Sequence, residues 1–263
     1  MTDMRDNLKR ADVAFRNAFV SNPDLPLAHH LYTPLETDLG RAEEAMLRLV
    51  RRARQRRADP ELYAGLVHAC RYCGLLDASV AADAQARRLD PQISTSVAQT
   101  YWLLGEFEKA IEGFGPNGFF IGLPFVSMGR NEEALAAAGQ ASAVVSDATT
   151  RSYQKILPLL LNGQFDACRA LLDELAPRNP DPESIFHIAR TYARLGAHDE
   201  AIVQFSRAVD SGYFCAPGFD HDPWLDPLRA SPPFIAALGR AQARHAEALR
   251  KFRDAGVERL FRS

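Results

Sequence analysis

Apolar residues fall along this chain in short bursts at helical spacing, and glycines punctuate the bursts. The stretch Thr100 to Phe114, TYWLLGEFEKAIEGF, shows the unit most clearly. Tyr101, Trp102 and Leu104 lie close together at helical spacing, and Gly105 breaks the pattern. Phe107, Ala110, Ile111 and Phe114 then resume it at steps of three, one and three. This predicts two amphipathic helices meeting at a glycine turn. A hairpin of that length cannot bury its apolar faces alone, so it needs copies of itself as neighbours.

The copies are present. Gly40, Gly74, Gly129, Gly163 and Gly196 carry the same surroundings as Gly105, with successive separations across the six of 34, 31, 24, 34 and 33 residues. Five residues after each glycine stands a small side chain (Ala45, Ser79, Ala110, Ala134, Cys168, Ala201), which lets two helices approach closely. Four residues before each stand Glu36, Cys70, Tyr101, Phe125, Leu159 and Tyr192, mostly bulky knobs. Pro91 in RRLDP and Pro180 in APRNP fall where a second helix should stop.

On these residues the sequence resembles the tetratricopeptide repeat family, whose period is about 34 residues. The best copy is ARLGAHDEAIVQFSRAV, Ala193 to Val209, with Leu195, Gly196, Ala201, Phe205 and Ala208 at the motif positions. The resemblance extends roughly from Ala11 to Val209. It implies an all-α fold, an α-α superhelix or solenoid of about six helix hairpins. One continuous domain is expected in three parts: an N-terminal half repeat over 1–25, the solenoid over 26–212, and a proline-rich docking loop with a capping helix over 213–263.

Ala11, Phe15, Ala18 and Phe19 read as the second helix of a repeat whose first helix is absent. That helix is either a cap or the downstream remnant of a longer array, and caps normally carry a more polar outer face, which favours the second. Leu27 to Leu39 and Arg41 to Arg57 form the next hairpin, with Pro34 expected to kink its first helix. The run RLVRRARQRR ends its second helix. Cations there complement the helix dipole, and no aromatic residues interleave them, so they read as a solvated face rather than a nucleic-acid patch. Pro60 to Pro91 is a full repeat containing HACRYC, His68 to Cys73. A zinc site needs four ligands, and Cys168 and Cys215 stand apart, so Cys70 and Cys73 read as buried structural thiols.

GPNG, Gly115 to Gly118, cuts the Gly105 repeat short. The two segments FFIGLPFVSMGR and SYQKILPLLLNG carry Pro124 and Pro158 and are apolar almost all round. A helix apolar on every face is normally buried on every face, so the middle of the superhelix is either tightly wound or covered. Beyond Val209, Pro217, Pro223, Pro227, Pro232 and Pro233 exclude a regular helix over most of Ser211 to Phe234. Asp220, His221 and Asp222 could serve a metal or acid–base chemistry, but adjacent turn residues do not easily converge on one ion. The stretch reads as a docked loop anchored by Trp224, Leu225 and Leu228. Pro233 to Phe261 reads as a long helix with one face on the last repeat and the rest in water.

Composition narrows the classes. The 31 basic and 33 acidic residues nearly cancel, which argues against bulk electrostatic binding to nucleic acid or membrane. MTDMRDNLKR lacks the apolar stretch of a signal peptide. The longest apolar runs fall well short of the ~20 residues a membrane span needs. The four cysteines form no disulfide framework, so a cytoplasmic location is expected.

Two segments carry a nearer resemblance. GLVHACRYCGLLDASVAADAQARRLDP with TSVAQTYWLLGEFEKA, and the closing GYF…DPWLDPLRASPPF, are similar to the C-terminal repeat regions of bacterial multidomain serine/threonine kinase or nucleotide cyclase signalling proteins. No G-x-G-x-x-G loop, H-R-D or D-F-G occurs, so kinase activity does not carry over.

In the family, first helices line the concave wall at positions two, three, six and ten before each glycine. That geometry implies a partner-binding groove containing His68, Arg71, Tyr72, Gln99, Trp102, Phe119, Tyr153, Phe186, Arg190 and Arg194. Trp, Tyr and Arg are enriched among binding hot spots. The Lys/Asn carboxylate clamp of chaperone-adaptor members is missing, since Ala64, His68, Thr95 and Gln99 occupy the comparable places. A peptide with apolar anchors and an acidic flank suits the groove, and Trp102→Ala with Arg71→Ala is expected to weaken its capture while leaving helicity intact. Phe119, Leu123, Leu157 and Leu160 read equally as core packed among themselves or on the C-terminal helix.

The expected function is a non-catalytic protein–protein interaction scaffold, regulatory in bacterial signalling, that holds a partner protein or peptide. The alternative is a small-molecule sensor using the apolar central groove. A metal-dependent enzyme built on Asp220 to Asp222, or on His68 with its cysteines, comes third. No catalytic constellation, metal-ligand set or cofactor motif emerges, so no catalytic residue or cofactor is expected. Neither nucleic acid nor membrane is expected as a partner, and the apolar middle offers a surface for self-association.

Overall fold

The structure, a computed structural model, describes residues 4–115, 120–144, 148–257 and 260–261. Among the described residues it is all-helical, with no strand. A single helix, α1 (Met4–Ser21), precedes six hairpins. These are α2 (Pro26–Asp38) with α3 (Ala42–Gln55), α4 (Pro60–Tyr72) with α5 (Leu76–Leu89), and α6 (Val97–Leu103) with α7 (Phe107–Phe114). Then come α8 (Gly122–Ser127) with α9 (Asn131–Val144), α10 (Ala148–Leu161) with α11 (Phe165–Leu175), and α12 (Pro182–Arg194) with α13 (His198–Asp210). A short α14 (Ala216–Asp220), a 3-10 turn at Pro223–Leu228 and α15 (Pro232–Asp254) follow. Consecutive helices pack on one another, as in a solenoid. No helix among the described residues is long and apolar enough to cross a membrane.

The repeat phase has a backbone cause. All six phased glycines adopt φ between 71° (Gly163) and 78° (Gly40), a left-handed conformation that L side chains reach at a cost. In every turn the glycine N–H donates to the carbonyl three residues back. The next N–H donates five residues back, to the carbonyl of Glu36, Cys70, Tyr101, Phe125, Leu159 or Tyr192. The residue four before each glycine therefore closes its helix through its main chain, which explains why Glu36 can share a position with aromatic residues. The small residues five after the glycines are all fully buried where paired helices meet. Pro116 to Gly118, which shorten the Gly105 repeat, and Phe119 lie outside the described residues.

At the N-terminal end Phe15 and Phe19 of α1 pack on α2, with ring centroids 5.1 Å from Tyr32 and 4.3 Å from His29 respectively. The stack then curves until its last hairpin meets its first two. The Phe214 N–H donates to the Tyr72 carbonyl at 3.0 Å. The backbones of Gly40 and Gly212 approach so closely that a Cβ on Gly212 would stand 2.8 Å from the Cα of Gly40. The last helix differs from the expected cap, because α15 packs on α3 as well as α13. Lys251 pairs with Glu43, His245 Nδ1 sits 2.9 Å from the Cys73 carbonyl, and Arg54 donates to the Ala255 carbonyl at 3.2 Å. It ends at Asp254 rather than running to Phe261, and Gly256 follows at φ 69°. The docked loop supplies core: Tyr213, Phe214, Phe219, Leu225 and Leu228 are buried, and Phe219 lies 4.9 Å from Phe186 and 5.0 Å from Phe205.

Candidate functional site

Helix α12 lies at the inside of the curve, with first helices of earlier hairpins on several sides. One of its faces makes a seam with α4. Arg71 of α4 is 1 % exposed. Its Nε and Nη2 donate to the two carboxylate oxygens of Glu183 at 2.7 and 2.9 Å, and its Nη1 donates to Ser96 Oγ and the Ser96 carbonyl at 2.8 and 2.9 Å. A bidentate guanidinium–carboxylate pair of this kind satisfies both charges in place. Asp181 begins α12 because its carboxylate caps the N–H groups of Glu183 and Ser184. The same carboxylate accepts the Tyr72 hydroxyl at 2.6 Å, so the residue that starts α12 also locks it to α4.

His68 joins this network. Thr37 Oγ1 donates to the Pro34 carbonyl and lies 3.1 Å from His68 Nε2, while Arg71 Nη2 donates to His68 Nδ1 at 3.2 Å. These partners assign the proton to Nε2. Burial first, then the Arg71 charge, pushes the imidazole pKa well down, so His68 is neutral. Across the seam, burial and then the carboxylates of Asp181 and Glu183 raise Asp38 to about 8.

Farther along α12, Arg190 is enclosed between two tryptophans. Its guanidinium lies 4.8 Å from the Trp102 ring and 4.0 Å from the Trp224 ring. Its Nε and Nη2 donate to Asp222 at 2.6 and 3.2 Å. Asp222 Oδ1 also caps the Trp224 N–H at 3.0 Å. Asp222 is thus fully engaged as a buried counter-ion, while His221 is exposed and its Nδ1 lies 2.8 Å from the Pro217 carbonyl. The cysteines are all buried, and burial raises the Cys70 and Cys73 thiols, with Cys215 pushed up to about 12. Such thiols are inert rather than nucleophilic.

The Trp102–Arg190–Trp224 stack separates two concavities, since Arg190 and Trp224 line both. On one side an open trough of about 450 Å³ is lined by Trp102, Leu103, Phe107, Val126, Ser127, Pro217 and Trp224, among others. On the other, a cavity of about 70 Å³ lies between α8, α10 and α12. Leu123, Leu157 and Leu160 line it, so these three face a void as well as one another. Gln154 also lines it, 7 % exposed, and neither amide atom meets a partner among the described residues. The same holds for His187 Nδ1.

The structure distributes the ten predicted groove residues unevenly. His68, Arg71 and Tyr72 lie in the seam, and Phe186 is fully buried beside Tyr213 and Phe219. Trp102 and Arg190 bound the trough, Tyr153 and Arg190 line the cavity, Gln99 is half-buried and Arg194 is exposed. Phe119 lies outside the described residues. The inner wall is therefore largely occupied by α12 and by the docked loop that follows α13. Both Arg71 and Arg190 spend their charge on carboxylates of the chain itself, which removes the basis for an acidic flank in a bound peptide. Exposed large apolar residues concentrate at the N-terminal end, at Val13, Val20, Leu25, Leu27 and Leu31, rather than in the middle of the stack.

Sequence reasoning missed Glu183, Gln154 and His187. A signal existed for two of them: Gln154 and His187 each stand nine residues before a phased glycine, as does Phe120, which also lines the cavity. Glu183 left only the helix-start pattern Asp181-Pro182-Glu183.

The fold and these surfaces define an all-α helical-repeat protein. A family model described as "Tetratricopeptide repeat" matches residues 182–211, which is the α12–α13 hairpin with its flanking residues. The other five hairpins repeat the glycine turn and buried small residue of that one, which supports the tetratricopeptide resemblance along the stack. Repeats of this type generally act as non-catalytic scaffolds for protein interaction. No curated protein matches the chain.

Proposed function

We propose that this chain is a non-catalytic interaction scaffold that holds a partner protein or peptide in a regulatory role in bacterial signalling. The observation that carries the reading is the trough beside Trp102. It is an open part of the inner wall beside the docked loop, and family lining positions Trp102, Leu103, Val126 and Ser127 bound it. Its walls are aromatic and apolar, and its one buried cation is already paired. An extended segment with aromatic or aliphatic anchors and little charge fits that chemistry.

The signalling assignment rests on the two segments that resemble bacterial kinase and cyclase repeat regions. In the fold these lie against each other: Phe214 bonds Tyr72, and a Cβ on Gly218 would stand 2.7 Å from the Leu103 side chain.

Selection of a random peptide library on the purified chain tests the reading. Enriched peptides should carry two or more apolar anchors and lose binding at least tenfold to Val126→Glu, which places a charge on a half-buried position of the trough. Enrichment of acidic peptides, or binding indifferent to Val126→Glu at unchanged melting temperature, would place the partner elsewhere.

A further inference from the structure

The cavity on the far side of the Arg190 stack has a chemistry of its own. Three successive hairpins each contribute the residue nine before their glycine, so Phe120, Gln154 and His187 converge on one space. Phe120 and His187 form a flat wall, stacked with ring centroids 4.6 Å apart. The remaining lining is mainly aliphatic. Into this apolar space Gln154 brings a primary amide that is enclosed and, among the described residues, unpartnered at both ends. Burying an amide without hydrogen bonds is costly, and leucine in its place on α10 would have avoided that cost.

We propose that this cavity is a binding site for a small, uncharged, largely apolar molecule bearing one amide-like edge, a donor beside an acceptor. Such a group meets both ends of the Gln154 amide with two separate atoms; a ketone leaves the amide oxygen bare, and an alcohol must serve both ends through one oxygen. Charge excludes the ionic alternatives. Arg190 is the lining cation, and Asp222 already holds its guanidinium through two hydrogen bonds. Burial, with the Arg190 and Arg71 charges, keeps His187 neutral. A carboxylate entering here would lose its water and find no free counter-charge. The planar Phe120–His187 wall favours a ring as the apolar body. Through Arg190 and Trp224 the occupied cavity shares side chains with the trough, so a ligand here touches the residues that bound the proposed peptide surface.

Three probes of nearly one shape separate the possibilities: benzamide, toluene and benzoate, titrated into the full chain and followed by protein-observed NMR and thermal melting. Benzamide should saturate and raise the melting temperature, toluene should bind at least tenfold more weakly, and benzoate should not bind. Gln154→Leu should lower benzamide affinity at least tenfold while retaining or improving toluene binding. Ala138→Leu, which fills the space from α9, should abolish binding of all three. Equal binding of toluene and benzamide, or benzamide affinity unchanged by Gln154→Leu, overturns the assignment. Absence of saturable binding by any probe overturns it too, and leaves the Gln154 amide as a site for trapped water. Peptide capture at the trough is a separate readout on the same variants, so failure here and failure of the scaffold reading are distinguishable.

Discussion

Helix α12 meets the inner wall through two faces that the chain treats in opposite ways. Against α4 every charge found a partner: Arg71 with Glu183 and Ser96, Tyr72 with Asp181, His68 with Arg71 and Thr37. Against α8 and α10 the wall is apolar, holds a cavity of about 70 Å³ and leaves Gln154 without a hydrogen-bond partner among the described residues. The contrast separates polar groups that hold the fold together from polar groups that the fold holds ready. Substitutions on the two faces should therefore differ in size and even in sign.

The largest effect belongs to the seam. Glu183→Ala would strand the Arg71 guanidinium in an interior where it is 1 % exposed. Breaking one side of such a buried pair typically costs about 3–5 kcal/mol. Urea denaturation should show that loss, whereas replacing both partners together with leucine should recover much of it. Arg71→Ala belongs to the same class, so it cannot serve as a surface probe of partner capture with the fold left intact. A cost below about 1 kcal/mol for Glu183→Ala would show that the seam opens to water.

Two glycines compare a turn covered by α15 and the docked loop with one on the open rim. Gly74 and Gly105 share a left-handed φ of 74° and 76°, which costs an L residue about 1–2 kcal/mol. At Gly105 that strain is the whole penalty, because nothing lies within 4 Å of an added Cβ. At Gly74 the Cβ would stand 2.7 Å from His245 Nδ1, the atom that bonds the Cys73 carbonyl, and 3.3 Å from the Cys215 Cα. Gly74→Ala should thus destabilise measurably more than Gly105→Ala in parallel melts. Equal losses would mean that α15 and the docked loop do not press on that turn.

These turns also show how much the sequence could reveal. Six glycines and six small residues made the hairpins and their phase legible, because both are local: one sets φ, the other sets the distance between adjacent helices. Closure of the stack was not legible, because it depends on residues as distant as Arg71 and Glu183, 112 apart in sequence. Arg71 and Arg190 look like groove cations until the fold supplies Glu183 and Asp222. The apolar segments around Pro124 and Pro158 signalled a middle either tightly wound or covered, and α12 with Trp224 of the docked loop lies against part of it. Gln154 sat unremarked within one of those segments.

Asp38 gives the seam a pH dependence. Burial first, then Asp181 and Glu183, raise its folded-state pKa to about 8, against an unfolded value of about 3.9. Between those values the folded chain keeps a proton that the unfolded chain releases. Stability from this group is therefore greatest below about pH 4, falls as pH rises toward 8 and is level beyond. Asp38→Asn cannot ionise, so it should melt higher than the parent by a margin that grows from pH 5 to pH 8. A margin independent of pH would show that Asp38 faces solvent.

The smallest effect decides the comparison, because its sign is reversed. Gln154→Leu removes an enclosed amide that bonds nothing among the described residues and places an aliphatic side chain of similar length against Leu157 and Ile188, residues of the same cavity lining. Freed of an unsatisfied group, the chain should gain about 1 kcal/mol, the low end of the burial penalty for an unpaired amide. Polar-to-leucine exchange on the seam face, as in Glu183→Leu alone, should destabilise strongly instead. Both variants replace a polar group on a wall-facing helix with the same aliphatic residue, so general loss of polarity cannot account for opposite signs. A loss of stability in Gln154→Leu would mean that the amide is satisfied after all, and the two faces would then follow one rule.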